Sequence, residues 1–193
     1  MLKSRTDAAW FETSRRDLGA LLSDHLHCER KAAENALSLV RRYPGSAALV
    51  ARLTRLAHEE TSHLIQMSEL LDQRGLPLRP DTPNHYARGL LALVRGNEPG
   101  RRIDALLCAA LIEARSHERL SLLAEGFAAS GDADLGDIYA ALASAEDRHA
   151  ELYVELAREG AREDIDARLA QLAVREAEIL AAVPPGSRVH SSP

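Results

Sequence analysis

Lysine is nearly absent from this 193-residue chain, and cysteine and aromatic residues are scarce. Two cysteines, Cys28 and Cys108, cannot build a disulfide framework, and their spacing fits no zinc motif. A reduced, cytoplasmic protein is the expectation. No apolar run approaches the ~20 residues that a membrane-crossing helix needs. Met1 to Trp10 contains no apolar core, so no secretory signal is expected there. Aromatic residues make up 4% and β-branched residues are few, which argues against a sheet protein. Hydrophobic residues at 46% and charged residues at 27% exclude a disordered or collagen-like chain.

The net charge of −5 excludes a generally basic nucleic-acid binder. Yet 22 of the 24 basic residues are arginines, some of them paired: Arg15-Arg16, Arg41-Arg42 and Arg101-Arg102. Arginine is the better bidentate phosphate ligand. A codon preference explains most of this bias, and a local arginine patch stays open. Arg52, Arg55, Arg88, Arg115 and Arg119 are candidates to meet phosphates, and ordinary surface charge or internal pairing is the plainer role for each.

Alanine and leucine dominate, so helical periodicity governs. Helices are expected over 17–42 and 47–74, with Tyr43-Pro44-Gly45 breaking the chain between them and Ser46 as N-cap. Gly75 sits where a C′ glycine belongs. A proline-rich connector, 76–83, leads through a Thr82-Pro83 cap into a short helix over 83–95. Helices over 101–129 and 133–159 follow, joined by Ser130-Gly131-Asp132, with Gly160 ending the second. A last helix over 164–182 stops at Pro184-Pro185 and covers one side. Two hairpins joined by a long crossover predict an all-α, ferritin-like four-helix bundle with additional short and C-terminal helices. The expected organisation is one domain, 1–186, with an irregular tail, 187–193.

Two copies of Glu-x-x-His carry the chemistry: Glu60-Thr61-Ser62-His63 and Glu146-Asp147-Arg148-His149. Residues i and i+3 share one helical face. Each pair lies within an apolar stripe: Leu53, Leu56, Glu60, His63, Met67 in one, and Tyr139, Leu142, Glu146, His149, Tyr153 in the other. A buried carboxylate is costly unless paired or bound to metal. On the partner helices, Glu29 and Glu113 fall on the inward stripes, while Glu34 falls on a polar face. Glu118, beside the stripe, is an alternative to Glu113. The offset from Glu29 to Glu113 is 84 and from Glu60 to Glu146 is 86, a near-repeat of the hairpin. Four carboxylates and two imidazoles suit two Fe(II) or Mn(II) ions rather than zinc. His25 and His117 read as donors behind the ligands or packed polar groups, and Cys28 as a packed apolar group. Tyr139 and Tyr153 flank the Glu-x-x-His of their helix, as hydrogen-bond donors or core. Asp147 and Arg148 should point outward.

Four segments resemble bacterial tRNA 2-methylthio-N(6)-isopentenyladenosine hydroxylases. They are Asp24-His25-Leu26-His27-Cys28-Glu29-Arg30, His58-Glu59-Glu60-Thr61-Ser62-His63, Ile112-Glu113-Ala114-Arg115-Ser116-His117-Glu118-Arg119, and Ser144-Ala145-Glu146-Asp147-Arg148-His149. The closing Arg188-Val189-His190-Ser191 is similar to that family's tail. Ferritins and rubrerythrins share Glu-x-x-His but not the Ile-Glu-Ala-Arg-Ser-x-Glu-Arg context. The resemblance implies a non-haem di-iron monooxygenase with Glu29, Glu60, His63, Glu113, Glu146 and His149 as ligands. It implies dioxygen as co-substrate, a hypermodified adenosine next to the tRNA anticodon as substrate, and a separate reductase as electron donor. A ferritin-like iron-oxidising, storage or peroxidase protein is the competing reading.

Overall fold

The structure is a computed structural model that describes residues 1–159 and 161–192. The expected stop at Gly160 and the last residue of the tail, Pro193, lie outside the described residues. Among the described residues seven α-helices follow in order: α1 (Ala9–Ser14), α2 (Leu18–Arg42), α3 (Ala47–Gln73), α4 (His85–Leu91), α5 (Gly100–Ala129), α6 (Ala133–Arg158) and α7 (Ile165–Ala182). A 3-10 turn, Arg15–Asp17, precedes α2. The described residues contain no strand, only one isolated bridge between Pro185 and Ser192. They form two compact units, one of residues 15–83 and one of residues 1–14 with 84–193.

The smaller unit is the α2–α3 hairpin. Asp17 caps α2 by accepting from the Ala20 amide at 3.1 Å. Four residues then turn the chain, with the Tyr43 amide closing on the Leu39 carbonyl. Gly75, at φ 63°, ends α3 in the left-handed conformation that lets the Leu76 amide reach the Leu71 carbonyl at 2.9 Å. The connector is laced to α2 rather than free. The Arg79 amide donates to Ser23 Oγ, its guanidinium clamps Asp17, and Asp81 pairs with Arg30 and Lys31. Leu21, Leu22, Leu49, Leu53 and Met67 fill the interface at 0% exposure.

The larger unit is built on the α5–α6 hairpin. Gly131, at φ 93°, lets the Asp132 amide reach the Phe127 carbonyl, and the Asp132 carboxylate then caps α6 at Leu135. Gly136 brings α6 against the Ala124 carbonyl, where an added Cβ would sit at 3.1 Å. The short helix α4 departs from expectation. It starts at His85, not at 83, because the Asn84 side chain, not Thr82, accepts from the Ala87 amide at 2.9 Å. It stops at Leu91, and the chain beyond it is drawn to Asp104, which takes the Arg95 amide and guanidinium. Helix α7 packs on α4 and α5, as a covering helix should.

Helix α1 was not anticipated. Its six residues are too few for periodicity to show, yet Trp10 is fully buried and Phe11 packs edge-on against Phe127 at 5.2 Å. The tail lies outside helix and strand, but it is seated: Val189, His190 and Ser191 are buried. The His190 ring stacks on Tyr86 at 4.8 Å, and Trp10 Nε1 donates to Ser191 Oγ at 3.1 Å.

Candidate metal centre

In the smaller unit, heptad-like spacing puts Glu29 of α2 and Glu60 and His63 of α3 on the buried stripes of a single hairpin. Glu29 is 3% exposed and Glu60 0%. Each of the three offers a donor atom within 4.8 Å of the others. His63 Nδ1 lies 3.4 Å from a carboxylate oxygen of Glu29 and 3.4 Å from one of Glu60. His25, one turn before Glu29, places Nε2 2.6 Å from the second Glu29 oxygen.

The electrostatics follow from that geometry. Burial alone would raise the Glu29 carboxyl, but the charge and hydrogen bond of His25 and the His63 side chain hold it well below the usual carboxylate range. Burial alone would lower His63, but hydrogen bonds to Glu29 and Glu60 push it up to about 10. The imidazole thus carries a proton while the carboxylates face it. A metal ion replacing that proton would take the same three donors, and its binding would release the proton. Two carboxylates with one imidazole make an oxygen-rich donor set, which suits iron or manganese and fits a di-iron site.

In the larger unit, Glu113 of α5 and Glu146 and His149 of α6 are buried at 4%, 3% and 3% exposure. Tyr139, two turns before Glu146, and Tyr153, one turn after His149, are fully buried, and Tyr139 stacks on Phe127 at 5.8 Å. His117 donates Nδ1–H to the Ala143 carbonyl at 2.8 Å, tying α5 to α6 beside the carboxylates. Asp147 and Arg148 face solvent as expected. Cys28 is half-buried and Cys108 buried, both as free thiols.

Glu118 stands elsewhere. Five residues beyond Glu113, it lies roughly 140° around α5. Its carboxylate accepts from the Thr6 amide at 3.0 Å and the Thr6 hydroxyl at 2.7 Å, and it pairs with Arg115. Its oxygens are committed to the N-terminal segment.

Two of the arginines considered for phosphate contact are ruled out by burial. Arg115 is fully buried and forms a two-point ion pair with Glu176 of α7, both contacts 2.9 Å, while Tyr86 donates to the same carboxylate at 2.8 Å. Arg119 is fully buried with its guanidinium carbon 4.2 Å from the Trp10 ring centroid. The signal that could have found the first pair is Glu176, an acid within the Leu172, Ala173, Leu180 stripe of α7. Arg55 and Arg88 remain exposed and Arg52 is half-buried.

Comparison with known proteins gives the chain its relatives. Residues 1–191 match the family model described as tRNA-(MS[2]IO[6]A)-hydroxylase (MiaE). The tRNA 2-(methylsulfanyl)-N(6)-isopentenyladenosine(37) hydroxylase of Pseudomonas putida is 42% identical, over 90% of this chain and 82% of its own length. The Salmonella typhimurium protein of the same name is 32% identical, over 96% of this chain and 86% of its own. A solved structure, "Protein 43 with aldehyde deformylating oxygenase activity from Synechococcus", is 39% identical with a TM-score of 0.91, covering 99% of this chain and 96% of that one. The fold is therefore that of the ferritin-like di-iron oxygenases, as the two-hairpin layout predicts.

Proposed function

This chain belongs to the MiaE family of tRNA hydroxylases, and from that premise we propose how it works. It is a non-haem di-iron monooxygenase that hydroxylates the isopentenyl side chain of 2-methylthio-isopentenyladenosine next to the tRNA anticodon. Dioxygen is the co-substrate, a separate reductase supplies electrons, and the reaction takes place in the cytoplasm. No helix of the described residues is long and apolar enough to cross a membrane.

The observation that carries this reading is the repeated set of two buried glutamates and one histidine, one set in each unit. Glu29, Glu60 and His63 would hold iron with Glu113, Glu146 and His149, the two units serving one di-iron domain over 1–186. Iron held there supplies dioxygen activation. The chain's own groups do the rest. His25 fixes one oxygen of Glu29 and leaves the other toward His63. His63 would give up its Nδ1 proton to hold the metal. Tyr139, Leu142, Tyr153 and Leu156, buried on the same stripe of α6, would keep water from its donors. A storage or peroxidase protein would share the donors but not the family match.

The test begins with protein purified without oxygen and reconstituted with Fe(II). About two irons per chain, with an oxo-bridged ferric spectrum after air, is the expected result. Nucleoside analysis of tRNA from cells lacking the gene should then show the unhydroxylated base. Stoichiometric iron without any change in tRNA would sink the substrate assignment and leave only a di-iron scaffold.

A further inference from the structure

The tip of the α2–α3 hairpin is charged in a way the rest of the chain is not. Between Glu34 and Glu59 there is no aspartate or glutamate, although the whole chain has 29 acids against 24 basic residues. The same stretch holds Arg41, Arg42, Arg52 and Arg55. Arg41, Arg42 and Arg55 are exposed, Arg52 is half-buried, and among the described residues Arg41, Arg42 and Arg55 enter no ion pair. Several arginines elsewhere are held by acids: Arg30 by Glu34 and Asp81, Arg79 by Asp17, Arg95 by Asp104 and Glu163.

Helix dipoles do not account for the cluster. Arg41 and Arg42 end α2, where a cation suits the negative helix terminus. Arg52 and Arg55 lie in the second and third turns of α3, where no such benefit exists. The start of α3 adds to the positive field. Ser46 makes no side-chain cap bond, so the first amides of this 27-residue helix stay open beside the exposed Ala47 and Ala48. Open amides at a helix N-terminus bind phosphate. Arginines and amides converge on one ligand chemistry, a run of phosphodiesters.

The tip also stands at a fitting distance from the donors. At 1.5 Å per residue, Arg55 lies about 7.5 Å and Arg42 roughly 20 Å along the hairpin from the level of Glu60 and Glu29. Phosphates seated there would belong to nucleotides near one whose base reaches toward the carboxylates.

We infer that the α2–α3 tip, with Arg41, Arg42, Arg52, Arg55 and the open amides of α3, binds the phosphate backbone of the substrate RNA. This rests on the tRNA-hydroxylase reading and names the surface that serves it. It also explains how an acidic protein holds RNA: a local cation cluster suffices when few phosphates are contacted.

The test uses the iron-loaded full chain and tRNA carrying the methylthio-isopentenyl base. Affinity is measured across 50–200 mM salt for wild type, Arg41→Gln/Arg42→Gln and Arg52→Gln/Arg55→Gln. Each pair should bind about tenfold more weakly, with the slope of log K against log salt shallower by roughly 1.5. KM should rise by the same factor while kcat at saturating tRNA and iron content stay at wild-type values. Wild-type affinity and slope in both pairs, with wild type active on tRNA, would overturn the surface and leave the hydroxylase reading intact. A wild-type protein that neither binds nor hydroxylates tRNA would overturn the hydroxylase reading, and this inference with it.

Discussion

Glu113 and Glu118 show how much a single residue's angle on a helix decides. Both are acids of one helix, and both stand near an apolar stripe. Glu113 shares the stripe of Leu106, Ala110 and Leu120 and is buried. Glu118 turns to the N-terminal segment and spends its oxygens on Thr6 and Arg115. Glu113→Ala should therefore lose bound iron, whereas Glu118→Ala should keep full iron stoichiometry. The second variant should instead lose about 1–3 kcal/mol of stability, because Thr6 and Arg115 lose their acceptor. Metal analysis paired with urea denaturation separates the two, and equal iron loss in both would reopen the choice of ligand. The burial of Glu29, Glu60, Glu113, Glu146 and His149 was legible because 3.6-residue periodicity places a side chain without knowledge of its neighbours. The burial of Arg115 and Arg119 was not, because it depends on Glu176 and Trp10, which are 61 and 109 residues away in sequence.

Elements obey the same division between local and distant causes. Gly75, Gly131 and Asp132 announce their turns in sequence because each acts on its own backbone. Gly131→Ala should cost about 1 kcal/mol, the strain of a side chain at φ 93°, read as a lower thermal midpoint with unchanged activity. The start of α4 was misplaced because Thr82 and Asn84 both offer caps, and only the chain's path selects Asn84. The anchoring of α7 depends wholly on tertiary pairing. Asp104 is fully buried under Arg95 and Arg168. Burial alone would raise its carboxyl, but hydrogen bonds from Arg168 and Arg95 bring it below its ordinary 3.8. A depressed acid contributes stability that is present above its unfolded pKa and lost as pH falls through the folded one. Asp104→Asn should thus cost about 3 kcal/mol at pH 7 and progressively less below pH 3.8. Denaturation of both proteins from pH 7 to pH 2 checks this, and a gap that widens in acid would contradict it.

At the scale of the whole molecule, the proposed metal centre would account for buried acids in helices otherwise apolar within. Glu29, Glu60, Glu113 and Glu146 are each at most 4% exposed, on four different helices. Without metal, the Glu29 carboxylate faces His25 and His63, and a divalent ion would have to displace the His63 proton. Iron that binds the folded chain and not the unfolded one stabilises it by mass action, about 4 kcal/mol at free metal 1,000 times Kd. At roughly 2–4 °C per kcal/mol for a chain of this size, the midpoint should rise by about 8–16 °C under anaerobic Fe(II). Chelation should reverse the rise, and lower pH should shrink it, because protons compete for the imidazoles. His63→Ala and His149→Ala draw on different units, so each should reduce the increment if both units serve one metal centre. An increment lost in His63→Ala but fully kept in His149→Ala would confine the metal to the α2–α3 hairpin and refute the six-ligand site.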